Sequence, residues 1–163
     1  MEDLHWMKSV GVENNGDFIS IQAYSGYDSF MSDPTAEEFI LIADASNEEL
    51  GKAFFAALAQ SRSLSYEEAC ALEKSLDRYY SGWVQRMMAR FGYKTKADLF
   101  ANMKSCHIEC FNDIIHIRPS HHVKLDEWTT TNTREDDNVR IPLDSSPTEV
   151  GAALRLAFSR CTE

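Results

Sequence analysis

The sequence predicts an α+β fold: two antiparallel β-β-β-α units related by a pseudo-twofold, with a long helix inserted between them. Three observations carry this. Residues 43–58, ADASNEELGKAFFAAL, and residues 143–158, LDSSPTEVGAALRLAF, share the string D-x-S-x-x-E-[LV]-G-x-A at an offset of 100, and such self-similarity marks a repeated structural unit. Upstream of each copy, two runs of alternating apolar and polar residues flank a turn dipeptide, Asn15-Gly16 and Asn112-Asp113. Between the copies, apolar residues recur every three or four positions over residues 66–91, the period of a helix with one apolar face.

The elements follow in order. VGVENNGDFISIQA reads as a hairpin around Asn15-Gly16, because Asn-Gly favours the tight turns that join antiparallel strands. A turn centred there places Val12 opposite Ile19 and Val10 opposite Ile21. Ser29–Met31 is a candidate extra strand, and Phe39–Ala43 reads as the next one. Ser46 then fits a helix N-cap, with Glu49 closing a capping box. Leu50, Phe54, Ala57 and Leu58 give that helix its apolar stripe, and Gly51 marks a place where a side chain would obstruct packing. Ser65-x-x-Glu68 opens the long helix, whose stripe is Ala69, Leu72, Leu76, Tyr79, Tyr80, Trp83, Met87 and Phe91; Gly92 stops it. Thr95 begins a short helix carrying Leu99, Phe100 and Met103.

In the second copy, SCHIECFNDIIHIRP pairs around Asn112-Asp113. Cys110 then faces Ile115, Ile108 faces Ile117 and Cys106 faces Pro119, while His107, Glu109, His116 and Arg118 occupy the other face. Val139–Leu143 reads as a strand. Ser146 and Glu149 cap the last helix, with Val150, Leu154, Ala157, Phe158 and Cys161 as its stripe. The units span about residues 6–61 and 104–161 and the helical insert about 66–103, all in one domain of 163 residues.

Composition narrows the function. The chain carries 16 Lys+Arg against 26 Asp+Glu, a formal charge of −10, with 44% apolar residues. No apolar run approaches the length of a membrane span, and MEDLHWMKSV lacks the basic region and apolar core of a signal peptide. A soluble, cytoplasmic chain is expected, and its 4 irregularly spaced cysteines read as free thiols. Residues 1–60 hold 11 acids and 2 bases, residues 61–125 hold 7 and 10, and residues 126–163 hold 8 and 4. An acidic surface repels phosphate backbones and attracts basic proteins.

Candidate chemistry is sparse. Cys106 and Cys110 are four strand residues apart, roughly 13 Å, too far to share one zinc ion. His107, Glu109 and His116 can meet on the polar face, but Glu–His pairs across strands also occur without an ion. Pro119-Ser120-His121-His122 has no nucleophile elbow and no glycine-rich oxyanion loop. With 7 glycines and no phosphate-binding loop, nucleotide binding is disfavoured. Two docking candidates remain. One is the polar loop Trp128–Asn138 with its acidic Glu135, Asp136 and Asp137, preceded by Asp126 and Glu127. The other is Tyr24-Ser-Gly-Tyr27, since exposed tyrosines anchor interfaces.

Several strings together resemble one known family: Tyr24-Ser-Gly-Tyr, Asp44-x-Ser-x-Glu-Glu-Leu-Gly, Gly92-Tyr-Lys-Thr-Lys, Leu99-Phe-x-Asn-Met-Lys-Ser-Cys, Arg118-Pro-Ser-His-His and Asp144-Ser-Ser-Pro-x-Glu-x-Gly-Ala-Ala-Leu-Arg-Leu-Ala. They are similar to immunity proteins of contact-dependent growth inhibition (CDI) systems of Gram-negative bacteria, from about Phe18 to Cys161. The resemblance implies a non-enzymatic antitoxin with no cofactor and no metal. Its partner would be the cognate C-terminal toxin domain of a surface exoprotein, often a nuclease with a basic groove. Glu135, Asp136, Asp137, Asp126, Glu127, Tyr24 and Tyr27 are then the candidate toxin-binding residues. Duplicated sheet-plus-helix units are also similar to the Whirly fold, which implies a rival function, binding single-stranded nucleic acid. The charge opposes that rival, and its foothold is the basic stretch Arg86, Arg90, Lys94, Lys96 and Lys104 with Phe91 and Tyr93.

Overall fold

Alternation along the two hairpins builds the centre of one antiparallel sheet. The computed structural model describes residues 7–130 and 134–163, so residues 1–6 and the middle of the polar loop, 131–133, lie outside it. The first half comprises β1 (Lys8–Asn14), β2 (Phe18–Gly26), β3 (Phe30–Ser32), β4 (Phe39–Ile42) and α1 (Asn47–Leu58). Then come α2 (Tyr66–Phe91) and α3 (Lys96–Phe100). The second half is β5 (Lys104–Phe111), β6 (Ile114–Pro119), β7 (His121–Lys124), β8 (Glu127–Thr129), β9 (Val139–Pro142) and α4 (Pro147–Ser159). Strand order is β3-β2-β1-β5-β6-β9, with β4 also on the outer edge of β2. The α+β class is as expected, and β1 and β5 meet antiparallel at the middle, Val10 opposite Ile108 and Val12 opposite Cys106.

The second hairpin has the expected register, Cys110 opposite Ile115, Ile108 opposite Ile117 and Cys106 opposite Pro119. Asn112 and Asp113 take φ of 52° and 61°, the left-handed pair that a two-residue turn requires. The first hairpin does not. Val12 lies opposite Ile21, Val10 opposite Ala23 and Asn14 opposite Ile19, a shift of two. Side-chain amides widen the turn: Asn14 Oδ1 accepts from the Gly16 N–H at 2.8 Å, and Asn15 Oδ1 accepts from the Asp17 and Phe18 N–H groups at 3.0 and 3.1 Å. A two-residue shift keeps every side chain on its face, so the core is unaffected.

One sheet face buries Val10, Val12, Ile19, Ile21, Ile108, Ile115 and Ile117 against Leu50 and Phe54 of α1 and Val150 and Leu154 of α4. The two helices touch at their glycines. A β-carbon on Gly51 would lie far inside van der Waals contact with the Pro147 carbonyl oxygen, and one on Gly151 would do the same to Asn47. Ser46 and Glu49 form the full capping box. At α4 the Glu149 N–H donates to Ser146 Oγ at 3.2 Å, while the Glu149 carboxylate accepts from the Ser146 hydroxyl at 3.0 Å.

On the opposite face, α2 and α3 cover only the first half of the sheet. Phe18 reaches from β2 into a second core of Trp83, Val84, Met87, Leu99, Phe100 and Met103, stacked on Phe91 at 4.6 Å between ring centroids. The long helix is capped as expected, by the Ser65–Glu68 box and by a left-handed Gly92. Asn15 ties the turn to this layer by donating to Tyr93 Oη at 2.8 Å and to the Leu99 carbonyl at 3.1 Å.

The hairpin β7–β8 corrects the reading of Trp128–Asn138 as one polar loop. Trp128 is part of β8, donates from Nε1 to the Met103 carbonyl at 3.0 Å and stacks on His122 at 4.8 Å. Its strands are four and three residues long with an irregularity between His122 and Lys124, too short and too uneven for alternation to show.

Candidate functional site

The polar face of the sheet and the incomplete cover over it create a cleft. Odd positions of β1 face away from the main core: Gly11 and Glu13 meet Ser20, Gln22 and Tyr24 of β2 around a cavity of about 240 Å³. Tyr79, Tyr80 and Trp83 of α2, Phe100 of α3, and Asp126 and Trp128 of the β7–β8 hairpin complete its wall. The Tyr24 ring lies across β1 at Gly11, where a β-carbon would overlap it. The cavity shares Glu13, Tyr24, Asp126 and Trp128 with a wider groove of about 610 Å³ that continues past His107 and Ser120 to Glu127 and Thr130.

The electrostatics of the cleft are one-sided. Burial pushes the Glu13 carboxyl up to about 7, and Glu13 in turn adds to the burial that raises the Tyr24 hydroxyl. No hydrogen bond to the Glu13 carboxyl exists among the described residues. The groups around it are Gln22 and Tyr24 from β2, Tyr79 and Tyr80 from α2, His107 from β5 and Asp126 from the β7–β8 turn. Asp126 is spoken for: its carboxylate accepts from the Tyr80 hydroxyl and from Lys96 Nζ at 3.0 Å, contacts that hold it below the usual carboxylate range. His107 Nε2 lies 3.2 Å from Glu109.

A raised carboxyl has a definite sign in folding. The unfolded chain ionises Glu13 first, so the folded state loses stability as pH rises from the ordinary carboxylate range through about 7, by at most about 3 kcal/mol. Glu13→Gln is expected to raise the melting temperature near pH 8 and to change it much less near pH 5. Equal shifts at both values would contradict a buried, ionisable Glu13.

The expected binding residues fall in three places. Tyr24, Asp126 and Glu127 border the cleft. Tyr27, 46% exposed, packs edge-on against the exposed Tyr66 at 5.9 Å, within the β2–β3 connection. Glu135, Asp136 and Asp137 form a 3-10 turn before β9, the first two exposed and Asp137 half-buried, with Glu135 paired to Arg140 at 3.2 Å and the Asp137 carbonyl accepting from Arg160 at 3.2 Å. Sequence reasoning did not find Glu13, Gln22 or the aromatic wall. The unassigned signal was the Tyr79, Tyr80 and Trp83 stripe, which needed an opposing surface, and the polar sheet face was the one left open.

The other chemical candidates are spent on structure. Cys106 and Cys110 both face the core, and Cys106 Sγ meets Cys161 Sγ at 3.7 Å. Ser120 donates to the Ser105 carbonyl, His121 bonds Thr162 at 2.8 Å and His122 bonds the Leu125 carbonyl at 2.8 Å. His116 stacks on Phe111 at 4.1 Å. Among the described residues no group of three His, Cys, Asp or Glu side chains is placed to hold a metal ion, and no helix is long and apolar enough to cross a membrane. In the basic stretch, Arg86 pairs with Glu38 and Lys96 with Asp126.

Comparison with known proteins is consistent along the whole chain. Residues 8–161 match the family described as CDI immunity protein. The immunity protein CdiI-YPIII of Yersinia pseudotuberculosis serotype O:3 is 39% identical over 175 residues, covering 99% of each chain. Among solved structures, a CdiA-CT/CdiI toxin and immunity complex from Yersinia pseudotuberculosis matches with a TM-score of 0.87 and 37% identity, over 96% of this chain and 98% of that one. A Neisseria meningitidis protein of unknown function matches with a TM-score of 0.88 and 35% identity, over 99% and 98%.

Proposed function

This chain belongs to the CDI immunity protein family, and from that premise we propose that it neutralises its cognate CdiA-CT toxin domain by binding it stoichiometrically in the cytoplasm, without catalysis. The observation that carries the reading is the full-length likeness to a chain whose solved structure is a toxin and immunity complex.

The physics of the surface supports a basic target. A net charge of −10 speeds encounter with a cationic partner and disfavours nucleic acid. A toxin that cleaves nucleic acid carries a basic substrate groove, and an acidic protein that fills it excludes the phosphate backbone. The acidic turn Glu135–Asp137 and the cleft margin at Tyr24, Asp126 and Glu127 are the surfaces assigned to the toxin, with Tyr27 as an outlying anchor.

Co-expression with the toxin domain encoded beside this chain tests the reading. A tight one-to-one complex and rescue of growth are expected; a folded toxin that is neither bound nor neutralised overturns it. Reversing Glu135, Asp136 and Asp137 together to lysine should weaken the complex by about 3 kcal/mol and flatten its salt dependence. Unchanged affinity and salt dependence, read by calorimetry at two salt concentrations, would remove the acidic turn from the interface.

A further inference from the structure

We propose that the cleft between β1–β2 and α2 is the receptor for one cationic side chain, a lysine or arginine, of the toxin domain. The inference rests on the immunity reading above and adds to it a specific anchor point.

The Glu13 carboxyl and the rings around it point to such a guest, and the floor beside them is polar. Gln22 is only 8% exposed, and its Nε2 donates to the Asp33 carbonyl at 2.6 Å, which leaves Oε1 buried with no hydrogen-bond partner. Glu13 stands on the same wall with a carboxyl that no described residue contacts by a hydrogen bond. An acid set among aromatic rings suits a guest that donates hydrogen bonds and carries positive charge. Ammonium and guanidinium groups do both.

The remaining wall suits the same chemistry. Tyr79, Tyr80, Trp83 and Phe100 present ring surface, which attracts cations and also accepts the methylene stem behind them. The protein already shows the arrangement on the outer side of Tyr80. There Lys96 Nζ lies 4.9 Å from the Tyr80 ring centre and 5.9 Å from that of Phe100, with the Asp126 carboxylate at 3.0 Å. The cavity repeats that set with Glu13 as the acid and no lysine of its own. Its volume of about 240 Å³ admits one long side chain. The adjoining groove offers the path inward. A cation arriving beside Glu13 would offset the cost that burial places on its ionised carboxyl and form a charge-assisted hydrogen bond with it.

The test measures the affinity of the wild-type chain and of Glu13→Gln for the toxin domain, together with the titration of the Glu13 carboxyl by NMR, free and in the complex. The proposal expects Glu13→Gln to bind at least about thirtyfold more weakly while remaining folded by circular dichroism. It also expects the wild-type Glu13 midpoint, about 7 in the free chain, to fall below about 5 in the complex. The NMR arm keeps the test decisive if the variant folds poorly. Affinity within threefold together with an unmoved midpoint overturns the cleft as the anchor and leaves the immunity function intact. A wild-type chain that does not bind the toxin at all overturns both. Titration with spermidine separates the sources: saturable binding lost in Glu13→Gln, with toxin affinity unchanged, would assign the cleft to a free amine and overturn the proposal.

Discussion

Gly51→Ala is expected to cost about 3 kcal/mol or more of unfolding free energy, read as a lower urea midpoint at unchanged slope. The helices α1 and α4 approach so closely that the added methyl group would overlap the Pro147 backbone, and backbone cannot rotate aside as a long side chain can. Relief requires the helices to separate, which strips packing from Leu50, Phe54, Val150 and Leu154 at once. Gly151→Ala should act alike through Asn47. The double variant should cost less than the sum, since one separation relieves both overlaps. A change under 0.5 kcal/mol in either single variant would show that the crossing is looser than described.

Phe100→Ala should destabilise the chain by about 3–5 kcal/mol and should also damage the cleft. Phe100 is 1% exposed and lies within 6.3 Å of the Tyr80, Trp83 and Trp128 rings. It therefore joins α2, α3 and the β7–β8 hairpin to one another as well as to the sheet. Its loss should increase hydrogen exchange in Trp83–Met87 and in β8 while leaving the strands β1 and β5 protected. Uniform loss of protection would mean that the two cores unfold as one unit.

What could be read in the chain depended on how local the cause was. Capping at Ser46, Ser65 and Thr95 and the left-handed stop at Gly92 involve neighbours a few residues apart, and all appear where expected. The Asn112-Asp113 turn was legible for the same reason. The Asn15-Gly16 turn failed by two residues because two asparagine side chains add hydrogen bonds that hold a longer turn. The cleft was not legible, since Glu13 on its strand is an ordinary outward-facing acid. It becomes a half-buried one only when a helix more than fifty residues away settles over it. Nothing near Gln22 indicates that its amide oxygen is left without a donor.

The pairing of β1 with β5 at the middle of the sheet also governs when the protein becomes functional. Val10 must wait for Ile108 and Gly51 for Pro147, so the main core cannot close until nearly the entire chain has left the ribosome. Closing loops of that length before any burial rewards them is slow, which places such a topology among the slower-folding single domains. A cell that relies on this chain against an incoming toxin therefore draws on molecules folded beforehand, and its protection scales with that standing stock rather than with the rate of new synthesis.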